Sequence, residues 1–151
     1  MADILHKVGI QASADAVYRA LTTREGLCAW WTTDTGGDSK VGSVLQFRFG
    51  SLGGFDMQVL QLEPARQVLW QVIEGPEEWI GTKIRWKLKP EEDYITVLFK
   101  HEDWKDTGDF MHHCSTKWAT FLMSLKSSVE RREGRPWPHD VKIDKWELVA
   151  A

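Results

Sequence analysis

Histidine and cysteine have the widest chemical range of any side chains in this sequence, and three of them stand together as His112, His113 and Cys114 in the run MHHCS. Imidazole and thiolate are zinc ligands, so the run raises a metal site, with His101 as a further ligand. The spacing argues against it. Neighbours on a helix diverge by about 100°, whereas ligand pairs on one helical face stand three or four residues apart. Asp109 with His112 or His113 has that spacing, but no fourth ligand is readable. Neither a metal nor a cofactor is expected.

His101 is the more informative imidazole. It follows Val97 and Phe99 at strand period, so its side chain faces inward with theirs. A buried imidazole needs a hydrogen-bond partner. It could orient a ligand carbonyl or hydroxyl, or serve as a general acid–base group. It could equally be a core histidine satisfied by backbone or by Glu102. Cys114 lies near the start of a helical pattern, where the helix dipole favours a thiolate. A Cys114–His101 pair would then join a nucleophile to its base. No acidic orienter and no oxyanion loop accompanies it, and a small buried cysteine is the ordinary reading. No catalytic residue is assigned, and binding without catalysis is the expectation.

These groups need a scaffold, and the hydrophobic periodicity supplies one. ILHKVGI reads as a strand with Ile4, Val8 and Ile10 on one face. Ser13 and Thr23 can cap two short helices, the second carrying the adjacent Trp30 and Trp31 into the loop TTDTGGDSKVG. Adjacent side chains point apart, so Trp31 is expected to border a cavity while Trp30 packs outside it, unless both are core. Five alternating segments follow, punctuated by Gly53-Gly54, Pro64, Gly75-Pro76 and Pro90, as in an antiparallel meander. From Asp109 to Glu133 the apolar residues recur every three or four positions, which predicts a long amphipathic helix stopped by Gly134 and Pro136. A polar, tryptophan-bearing tail ends the chain.

A strongly twisted sheet with one apolar face can wrap a helix of this length, leaving a cavity where curved sheet and straight helix diverge. Strand parity then names the wall. Phe47 and Phe49 come from one strand, Met57 and Val59 from the next, and Trp70 and Val72 from the third. Ile84 and Trp86 continue it, and Phe99 and His101 complete the sheet side. Trp31, Cys114, Trp118 and Phe121 would face them from the helices. The stripe of Lys83, Arg85, Lys87 and Lys89 falls on the outer face, where it reads as solvated surface or as a contact for an acidic partner.

Composition narrows the classes. The 151 residues form a single expected domain, residues 1–151, with net charge −3 and nine tryptophans. That charge gives no pull toward nucleic acid, and no apolar run approaches the roughly 20 residues of a membrane span. MADILHKVGIQ is too charged for a signal peptide, and Cys28 and Cys114 are too few and too distant for a disulfide scaffold. A reduced, cytoplasmic protein is expected.

The segments ALTTREGLCAWWT (20–32), GSVLQFRFG (42–50), VLWQV (68–72) and EWIGTKIRW (78–86) carry a resemblance. FKHEDW (99–104), HCSTKWATFLMSLK (113–126) and GRPWPHDVKI (134–143) extend it over nearly the whole chain. The sequence resembles the SRPBCC (START/pollen-allergen-like) superfamily, in the branch homologous to the activator of heat-shock chaperone ATPase. The resemblance implies an α+β helix-grip fold: a curved antiparallel sheet wrapped around a long C-terminal helix, with two short helices near the N-terminus. It further implies a hydrophobic cavity taking a lipid or other small hydrophobic molecule, and a link to the stress response. The alternatives it leaves open are a polyketide cyclase-like or hydrolase-like enzyme using His101, or a chaperone-linked interaction module. A protein partner or a homodimer accords with the last of these.

Overall fold

The computed structural model describes residues 1–150. Strand β1 (Ala2–Ile10) leads into helices α1 (Ala14–Thr22) and α2 (Arg24–Trp30). Strands β2 (Asp34–Gly37), β3 (Val44–Arg48), β4 (Gly54–Glu63), β5 (Gln67–Glu74), β6 (Lys83–Glu91) and β7 (Tyr94–Trp104) follow. Helices α3 (Asp109–Arg131) and α4 (Lys145–Ala150) complete the order. The seven strands form one antiparallel sheet, β1-β7-β6-β5-β4-β3-β2, curved around α3 in a helix-grip α+β fold. None of its helices is long and apolar enough to cross a membrane, among the described residues.

Local chemistry sets these elements. The Ser13 hydroxyl accepts the Ala16 N–H, and Thr23 accepts the Gly26 N–H. Thr23 also closes α1 by donating its backbone N–H to Arg19, so one residue ends a helix and starts the next. Gly26 makes the sharp join feasible, since a Cβ there would lie 2.7 Å from the Ala20 Cα.

Alternation along the strands lays continuous rows across the inner face. Val59, Trp70, Ile84, His101 and Ile4 are successive cross-strand partners on five strands, and all are buried. The open edge of β1 is shielded by α3: the His6 Nε2 meets the Ser115 carbonyl at 3.0 Å, Lys126 donates to the Gly9 carbonyl, and Glu130 accepts the Gln11 N–H.

Three expectations need correction. The loop after Trp31 contains the short edge strand β2, which glycines and threonine concealed. The long helix ends at Arg132, which takes the left-handed conformation (φ 58°) and donates its N–H to Ser127 and Ser128. Gly134 therefore serves a different need: a Cβ there would lie 2.1 Å from the Ala29 carbonyl, so it lets the tail press against α2. Trp30 does not pack outside. It is fully buried, stacks on Trp31 with ring centroids 5.5 Å apart, and donates its Nε1–H to the Ala20 carbonyl. The polar, tryptophan-bearing tail is bonded to the rest of the domain. Thr32 and Trp137 form a parallel bridge, and the Ser124 hydroxyl links the Arg135 N–H to the Trp30 carbonyl.

Candidate ligand cleft

The expected cavity exists, at one end of the sheet–helix interface. It holds about 430 Å³ and opens between the Gly53–Phe55 start of β4, the Gly75–Trp79 turn, the N-terminal half of α3 and the tail helix α4. Of the residues expected to line it, Trp31, Phe49, Cys114, Trp118 and Phe121 do so.

The other nine do not border it. Phe47, Met57, Val59, Trp70 and Val72 face the helices as their parity requires, but they are sealed within the core, as are Ile84, Trp86, Phe99 and His101. The reason is volume. Trp31 lies parallel to Trp70 at 6.1 Å, Trp30 meets Trp86 edge-on at 5.7 Å, and Trp118 covers Phe99 at 4.5 Å. These indoles fill the space that parity alone left open. Among the described residues, the indole N–H groups of Trp70, Trp86 and Trp104 are buried without an acceptor; Trp70 and Trp86 form one T-shaped pair, and Trp104 forms another with Trp79.

His101 belongs to that sealed interior. Its Nδ1 accepts the Trp118 Nε1–H at 3.1 Å, so its proton sits on Nε2, which donates to the Thr82 hydroxyl at 2.8 Å. Thr82 passes the chain on to the Trp79 carbonyl at 2.6 Å. Both ring nitrogens are used, and neither partner is Glu102, which instead pairs with Arg85. Burial drives the imidazole pKa down to about 3, so it stays neutral. Cys114 is equally quiet: burial pushes its thiol up to about 12, and its sulfur accepts the Trp79 Nε1–H. That removes the thiolate a Cys114–His101 pair would need. Cys28 and Cys114 are both unpaired.

The cleft gains residues outside the expected wall. Phe55 and Trp79 form a parallel stack at 4.0 Å, and Trp79 continues nearly parallel to Trp118 at 5.9 Å. Trp79 lies in a turn, outside any alternating segment. Phe110, His113 and Lys117 do lie on the same helical stripe as Cys114, at spacings of three and four, which was their legible signal. Trp146 and Glu147 come from the tail, where only an apolar ring in polar sequence hinted at a contact.

The polar margin of the cleft is an ion network. Lys117 bonds Asp140, Glu147 and the Val141 carbonyl, which uses its three donors. Glu147 also accepts the Ile143 N–H at 2.7 Å, and Lys142 pairs with Asp140. Burial pushes Asp140 up, but the two lysines outweigh it and hold the carboxyl below its usual range. His112 and His113 diverge as their adjacency demands: His112 Nδ1 meets the Gly108 carbonyl, and His113 Nδ1 meets Asp144. No cluster of three or more His, Cys, Asp or Glu suited to a metal occurs among the described residues. On the outer face, Arg85 is neutralised by Glu102 and Lys89 by Glu91.

The family model described as Activator of Hsp90 ATPase homolog 1-like protein matches residues 11–130. The solution structure of the Aha1 dimer from Colwellia psychrerythraea is 47% identical, with a TM-score of 0.83 over 89% of this chain and 100% of that one. Protein SSP2350 from Staphylococcus saprophyticus (17% identity, TM-score 0.73, 89% of this chain and 97% of that one) shares the fold. So does CalU16 from Micromonospora echinospora (19% identity, TM-score 0.71, 87% and 75%). No curated protein matches the chain.

Proposed function

Because this chain belongs to the Activator of Hsp90 ATPase homolog 1-like family, we propose that it binds a small hydrophobic molecule in the cleft between the sheet and α3, without catalysis. SRPBCC-type proteins of this kind include ligand-binding and polyketide cyclase-like members. The observation that carries the reading is the cleft itself: about 430 Å³, walled mainly by aromatic side chains. Cavities of this size and lining suit drug-sized ligands. The cyclase-like reading rests on His101, which is sealed in the core with both ring nitrogens hydrogen-bonded, and Cys114 keeps its proton.

Trp31, Trp79 and Trp118 line the cleft, so an apolar guest there should quench or shift tryptophan emission. Pyrene added at micromolar concentration is expected to do so saturably. If pyrene, a fatty acid and a steroid all leave the emission unchanged, the cleft has no ligand role. The two unpaired cysteines support a cytoplasmic location for this function. The dimer of the Colwellia relative supports a homodimer here, which sedimentation at rising protein concentration reads directly.

A further inference from the structure

We propose that His113 is the polar anchor of the cleft and that it selects flat aromatic ligands carrying a hydroxyl group. This rests on the cleft being a ligand site; what is new is the anchor and the chemical class that it dictates.

The tautomer comes first. His113 Nδ1 lies 2.5 Å from the Asp144 Oδ2. A carboxylate only accepts, so Nδ1 carries a proton, and whenever the ring holds a single proton its lone pair is on Nε2. Asp144 is suited to that task, since its bond to His113 holds its carboxyl below the usual range. The ring is also held in place. Phe110 lies parallel to it at 6.2 Å, and Trp146 stands perpendicular to it at 4.7 Å. An oriented imidazole loses little freedom when a ligand arrives.

Elimination comes second. The other polar side chains with acceptor atoms on the cleft wall already hold a protein donor. The Cys114 sulfur takes the Trp79 N–H, and the two carboxylate oxygens of Glu147 take Lys117 and the Ile143 N–H. Lys117, the cleft's cation, has spent its three donors on Asp140, Glu147 and the Val141 carbonyl. Among the described residues, His113 Nε2 is the side-chain acceptor of the cleft with no protein donor. A ligand meeting the singly protonated ring must therefore donate. A hydroxyl fits; an ether, a ketone or a carboxylate would set lone pair against lone pair.

The shape of the guest follows from the walls. Phe55, Trp79 and Trp118 present nearly parallel rings, with interplanar angles of 7° and 17° between successive members. The three rings are stacked on one another, with centroids 4.0 and 5.9 Å apart, and a flat aromatic guest would extend that stack in offset fashion rather than enter it.

The test compares 1-hydroxypyrene with 1-methoxypyrene on the native protein at neutral pH, following tryptophan emission. The two probes share one ring system, but only the first donates a hydrogen bond. The native protein is expected to bind the hydroxyl probe about 5- to 10-fold more tightly, the range of one net hydrogen bond. His113→Phe keeps an aromatic ring between Phe110 and Trp146, and should erase the preference while still binding the methoxy probe. His113→Leu gives the same reading should the phenylalanine variant fold poorly. Asp144→Asn can donate to Nδ1 and shift the ring proton to Nε2, so it should shrink or reverse the preference, which a purely structural role for Asp144 would not do. Equal affinities in the native protein, or a preference that survives loss of His113, would overturn the anchor and leave the cleft as a ligand site. Failure of both probes to bind would overturn the cleft reading itself.

Discussion

His101 and His113 sit in two aromatic environments of one molecule, and they are chemical opposites. Around His101 the interior is closed: Trp79, Trp104 and Trp118 surround the ring, and both nitrogens are consumed by Trp118 and Thr82. Around His113 the aromatic wall is open on one side, and only Nδ1 has a partner. Aromatic content does not separate the two regions. What separates them is whether a neighbouring element supplies a second partner and enough volume to exclude a guest. For His101, α3 supplies Trp118 and the turn before β6 supplies Thr82. For His113, the tail supplies the Asp144 carboxylate to Nδ1 and the Trp146 ring, and no partner to Nε2 among the described residues.

The contrast can be broken or sharpened at three scales. The largest effect should follow truncation in the closed region. Trp86 is fully buried and meets Trp30, Trp70, Phe99 and Trp118. Trp86→Ala should cost about 3–5 kcal/mol, measured by denaturant unfolding. A loss below about 1 kcal/mol would mean that the interior is looser than its packing indicates.

Acid comes next. His101 takes a proton near 6.5 in the unfolded chain but only at about 3 in the folded one. Between those values the unfolded state binds more protons, so stability must fall as pH drops through 6.5. Over the step from pH 6.5 to about 5, above the ordinary carboxylate pKa values, the loss should be roughly 1–2 kcal/mol. His101→Phe should flatten that slope, although it lowers stability throughout by stranding Trp118 and Thr82. An equally steep slope in the variant would assign the acid sensitivity to some other group.

The smallest change in stability is expected at the open region. Trp146 is 52% exposed, so Trp146→Ala should shift unfolding by less than about 1 kcal/mol. It should nevertheless weaken pyrene binding, because the ring forms part of the cleft wall. If it proves as destabilising as Trp86→Ala, the two regions are one core and the comparison fails.

Much of this was legible in the residues. Period-two alternation gave the inner face of β3 to β7 correctly, and period-three-and-four spacing gave the buried stripe of α3, because both periods are local geometry. Ser13 and Thr23 were readable as caps for the same reason: a hydroxyl at the right offset satisfies a helix N–H whatever lies beyond. The family resemblance was carried by aromatic and glycine positions spread along the chain, and it held.

The cleft was legible only in part. Parity can say that Trp70 or Met57 points toward α3, but not that a tryptophan from elsewhere already occupies the space in front of it. Trp79 and Trp146 had no period to betray them, one lying in a turn and the other in the tail.

The histidines show the division most clearly. The sequence by itself determined that His101 points inward, because side-chain direction along a strand follows from covalent geometry two residues at a time. It also determined that His112 and His113 diverge, for the corresponding reason on a helix. Tertiary structure alone decided which imidazole keeps a free nitrogen. Thr82 lies 19 residues from His101 and Asp144 lies 31 from His113, and a hydrogen-bond partner at such a distance is chosen by how sheet, helix and tail pack together.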